Sequence, residues 1–169
     1  MFSITVTSAA THDGIAEVRR LFEEYAGSLG FSLCFQGFDA ELAGLPGAYA
    51  PPRGRLLLAR ADDAIAGCVA LRPLVEGVCE MKRLFVRPAF QGQGLGRRLA
   101  VAIIAEGRDA GYDRMRLDTM PVMTAALGLY GSLGFRDIAA YTENPIEGAR
   151  YLELGLACTA GAPPLLATP

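Results

Sequence analysis

A chain of 169 residues, 51% hydrophobic and 20% charged, is long enough for one domain with a sizeable core and too apolar to stay disordered. A net charge of −2 supplies no reason to expect a nucleic-acid partner and does not by itself point to a substrate. Cys34, Cys68, Cys79 and Cys158 stand far apart with no CxxC pair, and His12 is the single histidine, so neither a zinc site nor a dense disulfide framework is expected. Cys68, Cys79 and Cys158 lie in apolar runs and read as buried free thiols. The N-terminus has no basic start followed by an apolar stretch, and no apolar run is long enough to span a bilayer. The simplest compartment is the cytoplasm, with no membrane partner.

In chain order, Phe2–Thr7 alternates and is rich in β-branched residues, which predicts a first strand. Thr11-His12-Asp13-Gly14 supplies a helix start, Ile15, Val18, Leu21, Phe22 and Tyr25 recur at helical spacing, and Gly27 to Gly30 closes that helix. His12 reads as a surface or capping residue rather than a base. Residues 31–52 form a connecting region with a short helix at Phe38–Ala43 and a Gly/Pro-rich exit. Arg55–Arg60 and Ala64–Leu71 are predicted strands of a hairpin around Ala61-Asp62-Asp63. A turn at Val75-Glu76-Gly77 leads into a strand at Cys79–Val86, which Arg87-Pro88 ends because proline cannot continue the ladder.

A helix is predicted over Leu95–Arg108, with Leu99, Ile103 and Ile104 on its apolar side, then a strand at Arg114–Asp118. Thr119–Pro121 breaks that strand, Val122–Leu133 makes the last helix, and Phe135–Tyr141 and Arg150–Leu156 complete the sheet. The tail from Thr159 is rich in small residues and proline, and poor order is expected there. The reading is one α+β domain over 1–158 with a mixed sheet, followed by a tail at 159–169.

Between the central strand and its helix stands Gln91-Gly92-Gln93-Gly94-Leu95-Gly96. Backbone amides freed by glycine at a helix start point at an anion, and the helix dipole favours negative charge there. Arg97 and Arg98 oppose that dipole unless an anion is present, so the stretch reads as a cradle for a phosphate-bearing ligand. It is not a Walker loop, since the lysine and hydroxyl are missing, and Arg97 replaces the third glycine of a dinucleotide fingerprint.

What remains, Gln-x-x-Gly-x-Gly at 91, 94 and 96, resembles the acetyl-CoA signature of the GCN5-related N-acetyltransferase (GNAT) superfamily, and the order of elements resembles that fold over nearly the full length. The resemblance implies an acyl-CoA N-acyltransferase fold, with a mixed central sheet of about six or seven strands flanked by about four helices. In that fold the fourth and fifth strands splay apart around the cofactor. Backbone groups of Leu84, Phe85 and Val86 are then expected to pair with pantetheine. The amides of Gln91, Gly92, Gln93, Gly94, Leu95, Gly96 and Arg97 are expected to take the pyrophosphate.

Acetyl transfer to an amine needs a base to keep the amine unprotonated and an acid for the departing thiolate. Leu129-Tyr130-Gly131-Ser132-Leu133-Gly134-Phe135 resembles the family's LYxxxGF signature, which makes Tyr130 the expected acid. A core position at helical spacing with Met123, Ala126 and Leu127 is the competing reading. Glu80, eleven residues before Gln91, matches the separation at which some relatives carry a strand-borne base; pairing with Lys82 or Arg83 is its alternative. Asp118 and Thr119 end the fifth strand beside the cleft, to orient an amine or to cap the next helix.

Tyr25, Phe31, Phe35 and Gln36 are weaker candidates for acceptor contact, as are Tyr141 and Asn144 in the polar segment 141–148. Met123 departs from the pattern, because relatives often carry a cofactor-contacting asparagine seven residues before the tyrosine. The expected activity is direct acetyl transfer from acetyl-CoA to an unidentified amine, without a metal, by a chain that pairs as a homodimer in some members of this fold. A CoA-binding regulatory module without turnover and an acyltransferase with a longer acyl donor are the alternatives.

Overall fold

The computed structural model describes residues 3–157, so the expectations for Phe2, Cys158 and the tail from Thr159 fall outside it. Eleven regular elements follow one another: β1 Ile4–Ser8, α1 His12–Ser28, α2 Phe38–Ala43, β2 Arg55–Ala61, β3 Ala64–Val75, β4 Val78–Val86, α3 Leu95–Asp109, β5 Arg114–Thr119, α4 Thr124–Ser132, β6 Arg136–Ile138 and β7 Arg150–Gly155. The strands form a 7-stranded sheet in the order β1-β2-β3-β4-β5-β7-β6. Only β4 and β5 run parallel, joined through α3; every other neighbouring pair is antiparallel.

Alternation along the strands builds one core on each face of the sheet. Leu57 and Ala59 of β2, Val69 and Leu71 of β3, and Cys79 and Met81 of β4 join Leu99 and Ile103 of α3 and Tyr130 of α4. Leu56 and Leu58, with Cys68 and Ala70, face the other way onto Val18, Leu21 and Phe22 of α1 and Phe38 of α2. Thr11 caps α1 by accepting a hydrogen bond from the Gly14 amide at 3.1 Å, which leaves His12 as the first helical residue.

Of the boundaries that differ from the sequence reading, three change the description of the sheet and last helix. β3 continues past Leu71 through Pro73, whose position next to a register shift is where a sheet tolerates proline. α4 begins at Thr124 rather than Val122, and Val122 is left 79% exposed. β6 spans only Arg136–Ile138 and leaves the sheet before Tyr141, whose ring instead meets Tyr151 at 5.4 Å. The free thiols of Cys68 and Cys79 are buried, whereas Cys34 is exposed. Burial pushes the Cys79 thiol up to about 12, out of reach of thiolate chemistry at neutral pH. Among the described residues, no helix is long and apolar enough to cross a membrane.

Candidate active site

The site begins with a bulge. Between the paired positions Cys68↔Phe85 and Ala70↔Lys82, β4 spends one residue more than β3, and Arg83 takes a left-handed φ of 59°. The side chains of Glu80, Lys82 and Arg83 therefore all lie on the buried face shared with α1 and α2, against strict alternation. Each is paired, as a buried charge has to be. Glu80 pairs with Arg72 at 2.8 Å, Lys82 with Asp118 at 3.4 Å, and Arg83 with Glu41 at 2.8 Å. Arg83 also donates to Gln36 Oε1 at 2.8 Å and lies over the Phe38 ring. Removing one member of such a pair strands the other, so Arg83→Leu is expected to lower unfolding stability by about 3 kcal/mol in urea titrations.

Beyond the bulge the sheet opens. β5 pairs with β4 only at Val78↔Arg114, Cys79↔Met115 and Glu80↔Arg116, and then the strands diverge. A groove of about 460 Å³ lies along the free side of β4, bounded by Leu84 and Val86, by Gln91, Gly92, Gly94 and Gly96 of the turn, by Leu95 and Arg97 of α3, and by Leu129 of α4. Gln91 fixes the turn by donating its side-chain amide to the Val86 carbonyl at 2.9 Å. Gly92 and Gly94 have φ of 76° and 80°, conformations glycine adopts without strain, and a side-chain carbon on either would meet nothing within 4 Å. The α3 N-terminus has no side-chain cap, which leaves its first amides for a ligand.

The two arginines after the turn separate. Arg97 lines the groove and reaches Ser132 Oγ at 2.9 Å, whereas Arg98 donates to the Ile4 carbonyl at 3.3 Å, on the β1 side. Arg98 therefore has a structural partner of its own, a use that the anion argument did not foresee. Phe85 does not line the groove; it turns to the opposite face, 6.0 Å from Tyr25. Its backbone is paired with Cys68 of β3, and it is the flanking residues Leu84 and Val86 whose peptide groups face the open side of β4.

A second, smaller cavity of about 60 Å³ lies at the inner end of the splay. Tyr25, Phe31, Gln36, Lys82, Asp118 and Tyr130 line it, and it shares Leu84 and Ala126 with the groove. Tyr130 is 7% exposed and packs 5.6 Å from Phe135, but its hydroxyl has no hydrogen-bond partner among the described residues and is not sealed away from solvent. Burial raises the phenol's pKa well above its usual value, and Tyr25 and Asp118 push it the same way. The proton is held through the neutral range.

Glu80 is placed differently from the expected base. It is 2% exposed, lies outside the cavity lining, and both oxygens are engaged: Oε1 by Arg72 Nε at 2.9 Å and Oε2 by the Tyr141 hydroxyl at 2.7 Å. Its ion-pair partner is Arg72, directly opposite on β3, rather than Lys82 or Arg83. Burial lifts the Tyr141 hydroxyl's pKa further from the neutral range, with the Glu80 charge and hydrogen bond acting in the same sense. Tyr141 and Phe35 lie outside the cavity lining, so the structure brings Tyr25, Asp118 and Tyr130 together there but not those two. Asn144 reaches the site indirectly, donating to Asp118 Oδ2 at 3.1 Å. Met123 lines the cavity and accepts a weak hydrogen bond from Thr119 at 3.6 Å.

Lys82 is the residue the sequence reading passed over. Its Nζ donates to Gln36 Oε1 at 3.0 Å and to Asp118 Oδ1 at 3.4 Å. Burial lowers its pKa, opposed by the Glu80 and Asp118 carboxylates and reinforced by Arg83 and Arg72. The available signal was compositional: of 16 lysines and arginines, Lys82 alone is a lysine. Among the described residues, no group of three or more His, Cys, Asp or Glu side chains is placed to hold a metal ion.

A splayed parallel pair, a glycine turn opening a helix, and a tyrosine in the lining of the adjoining cavity define an acyl-CoA N-acyltransferase fold. The comparisons agree. Residues 17–135 match the family model "Acetyltransferase (GNAT) family". An uncharacterised N-acetyltransferase of Schizosaccharomyces pombe is 38% identical over 154 residues, covering 90% of this chain and 94% of that protein. An uncharacterised N-acetyltransferase of Dictyostelium discoideum is 27% identical, covering 84% of this chain and 94% of its own length. Among solved structures, a GNAT acetyltransferase of Staphylococcus aureus superposes with a TM-score of 0.73 at 19% identity, over 92% of this chain and all of that one, 100%. One from Salmonella typhimurium, determined with its cofactor acetyl-CoA, superposes at 0.69 and 21% identity, over 94% of this chain and 96% of that one. The chain belongs to the GNAT family of acetyltransferases.

Proposed function

We propose that the protein moves an acetyl group from acetyl-CoA to a primary amine by direct attack, within a single domain that spans 1–158. The observation that carries this reading is that the groove and the small cavity share Leu84 and Ala126 in their linings, with Tyr130 in the lining of the cavity. Bound acetyl-CoA supplies the electrophilic carbonyl and a thiolate leaving group. Of the three β4 residues expected to hold pantetheine, Leu84 and Val86 turn peptide groups toward the splay and serve that role, whereas Phe85 is paired with Cys68 of β3. The amides from Gln91 to Arg97, including Gln93, Leu95 and Gly96, take the pyrophosphate with the Arg97 guanidinium beside them.

Tyr130 keeps its proton at the hydroxyl until negative charge develops on sulfur, which suits a general acid. Tyr25, Phe31 and Gln36 border the space for the amine, and Asp118, steadied by Asn144, gives that space its negative pole. Glu80 supports the site by fixing Arg72 and Tyr141 rather than by meeting the amine. The test is thiol release from acetyl-CoA across a panel of primary amines: amino acids, polyamines, aminoglycosides and peptides with free N-termini. Turnover with at least one supports an enzyme; tight acetyl-CoA binding with no turnover on any supports a regulatory module.

A further inference from the structure

We propose that Lys82 is the base that takes the proton from the acceptor amine. The inference rests on the acetyl-transfer reading above and adds a catalytic residue to it. A tetrahedral nitrogen has four positions, of which the chain occupies one with Cε. Gln36 Oε1 and Asp118 Oδ1 occupy two more, and both are acceptors. They use two N–H bonds whether the amine is neutral or charged. The remaining position carries a proton in one state and a lone pair in the other, and Lys82 lines the cavity that receives the amine. Gaining and losing a proton therefore leaves both hydrogen bonds intact.

The residue type supports this assignment. The other fifteen of the 16 lysines and arginines are arginine, which does not lose its proton in water, and arginine serves the neighbouring buried pairs at 72 and 83. The single lysine stands where a reversible proton is useful. The charges around it come from several elements: Glu80 and Arg83 on β4, Arg72 on β3 and Asp118 on β5, with the Tyr25 and Tyr130 hydroxyls across the cavity. Burial is the largest influence and lowers the Lys82 pKa from its usual value; Glu80 and Asp118 favour the ammonium, and Arg83 and Arg72 oppose it.

The step balances as follows. An acceptor ammonium gives one proton to the neutral Lys82 Nζ, which later returns it to water. The free amine forms a C–N bond as the C–S bond breaks, the thiolate takes the Tyr130 proton, and the second proton lost by the nitrogen restores Tyr130.

Because the chain holds one lysine, tag-free protein labelled with ¹³Cε-lysine displays one lysine side-chain signal, which is titrated with and without acetyl-CoA. The expected midpoint lies below the usual lysine value of about 10.4. With the fastest amine of the panel, the acidic limb of kcat/KM in the parent follows that midpoint. Lys82→Arg keeps the charge but not the titration, and is expected to lose about a hundredfold in kcat with acetyl-CoA affinity unchanged and the acidic limb abolished. Lys82→Gln serves if the larger side chain does not fold. A midpoint at or above the usual value, a Lys82→Arg enzyme of parental rate and profile, or stable acetylation of Lys82 by mass spectrometry overturns the proposal. Absence of turnover on every amine overturns the parent reading instead, and the midpoint still decides whether Lys82 is poised to accept a proton.

Discussion

Tyr130→Phe is expected to lower kcat by about a thousandfold while leaving acetyl-CoA affinity and the melting temperature near those of the parent. The substitution removes one oxygen and nothing else of consequence. That oxygen has no hydrogen-bond partner among the described residues, so no donor or acceptor is stranded by its loss. The ring keeps its contact with Phe135 and its place in the core between α4 and the sheet. A purely structural tyrosine would show almost no change in rate. The pH dependence sharpens the distinction: because burial raises the phenol's pKa, Tyr130 stays protonated through the neutral range and contributes no basic limb there. The loss in kcat is therefore expected to be constant between about pH 6 and 9. Steady-state kinetics, calorimetric titration with acetyl-CoA and thermal melting check the three parts, and a variant of parental rate would remove Tyr130 from the chemistry.

Gly94→Glu is expected to weaken acetyl-CoA binding by about a thousandfold in calorimetry, with the protein still folded. A side chain at Gly94 enters open space, so the substitution meets no steric obstacle. Its backbone cost is that of a left-handed residue at a φ of 80°, about 1–2 kcal/mol. Gly94→Ala carries the same backbone cost and serves as the control. A glutamate at a helix start interacts favourably with the dipole, so the acid destabilises the fold no more than the alanine does. Toward a pyrophosphate it acts in the opposite sense. Two like charges about 4 Å apart repel by about 4 kcal/mol at an effective dielectric of about 20, which corresponds to about a thousandfold in affinity. Loss of binding in the glutamate alone identifies an anion at this turn; equal loss in both variants identifies a backbone effect.

The framework was legible because its signals are local. The short helix Phe38–Ala43, the hairpin around Asp62 and the helix opening at Leu95 each follow from turn residues and apolar spacing within a few positions. The groove and Tyr130 were legible through the motifs at 91–96 and 129–135, which the structure brings to the mouth of one splay. The partners of the buried charges were not. Glu80 reads in sequence as a base or, alternatively, as the partner of Lys82 or Arg83, but the residue that faces it is Arg72 across the turn. The bulge at Arg83 has no signature beyond the run Glu80-Met81-Lys82-Arg83, polar residues in a strand otherwise deep in the protein. That run was itself the clue: three charges on a central strand need partners from elsewhere, and one of those partners, Asp118, lies in the site.

The divergence of β4 and β5 also bears on solubility. Seven strands would ordinarily leave two exposed borders, at β1 and β6, but here β4 presents a third row of unpaired peptide groups in the middle of the sheet. An exposed row of that kind invites docking by a strand of a neighbouring molecule. This one is sheltered, because α1 packs against one face of β4 and α3 against the other. The approach that remains runs within the sheet plane, through the gap itself, where a slender unbranched chain can enter and a polypeptide with side chains on both faces cannot. The same walls that admit one thin ligand thus protect the molecule from its own copies.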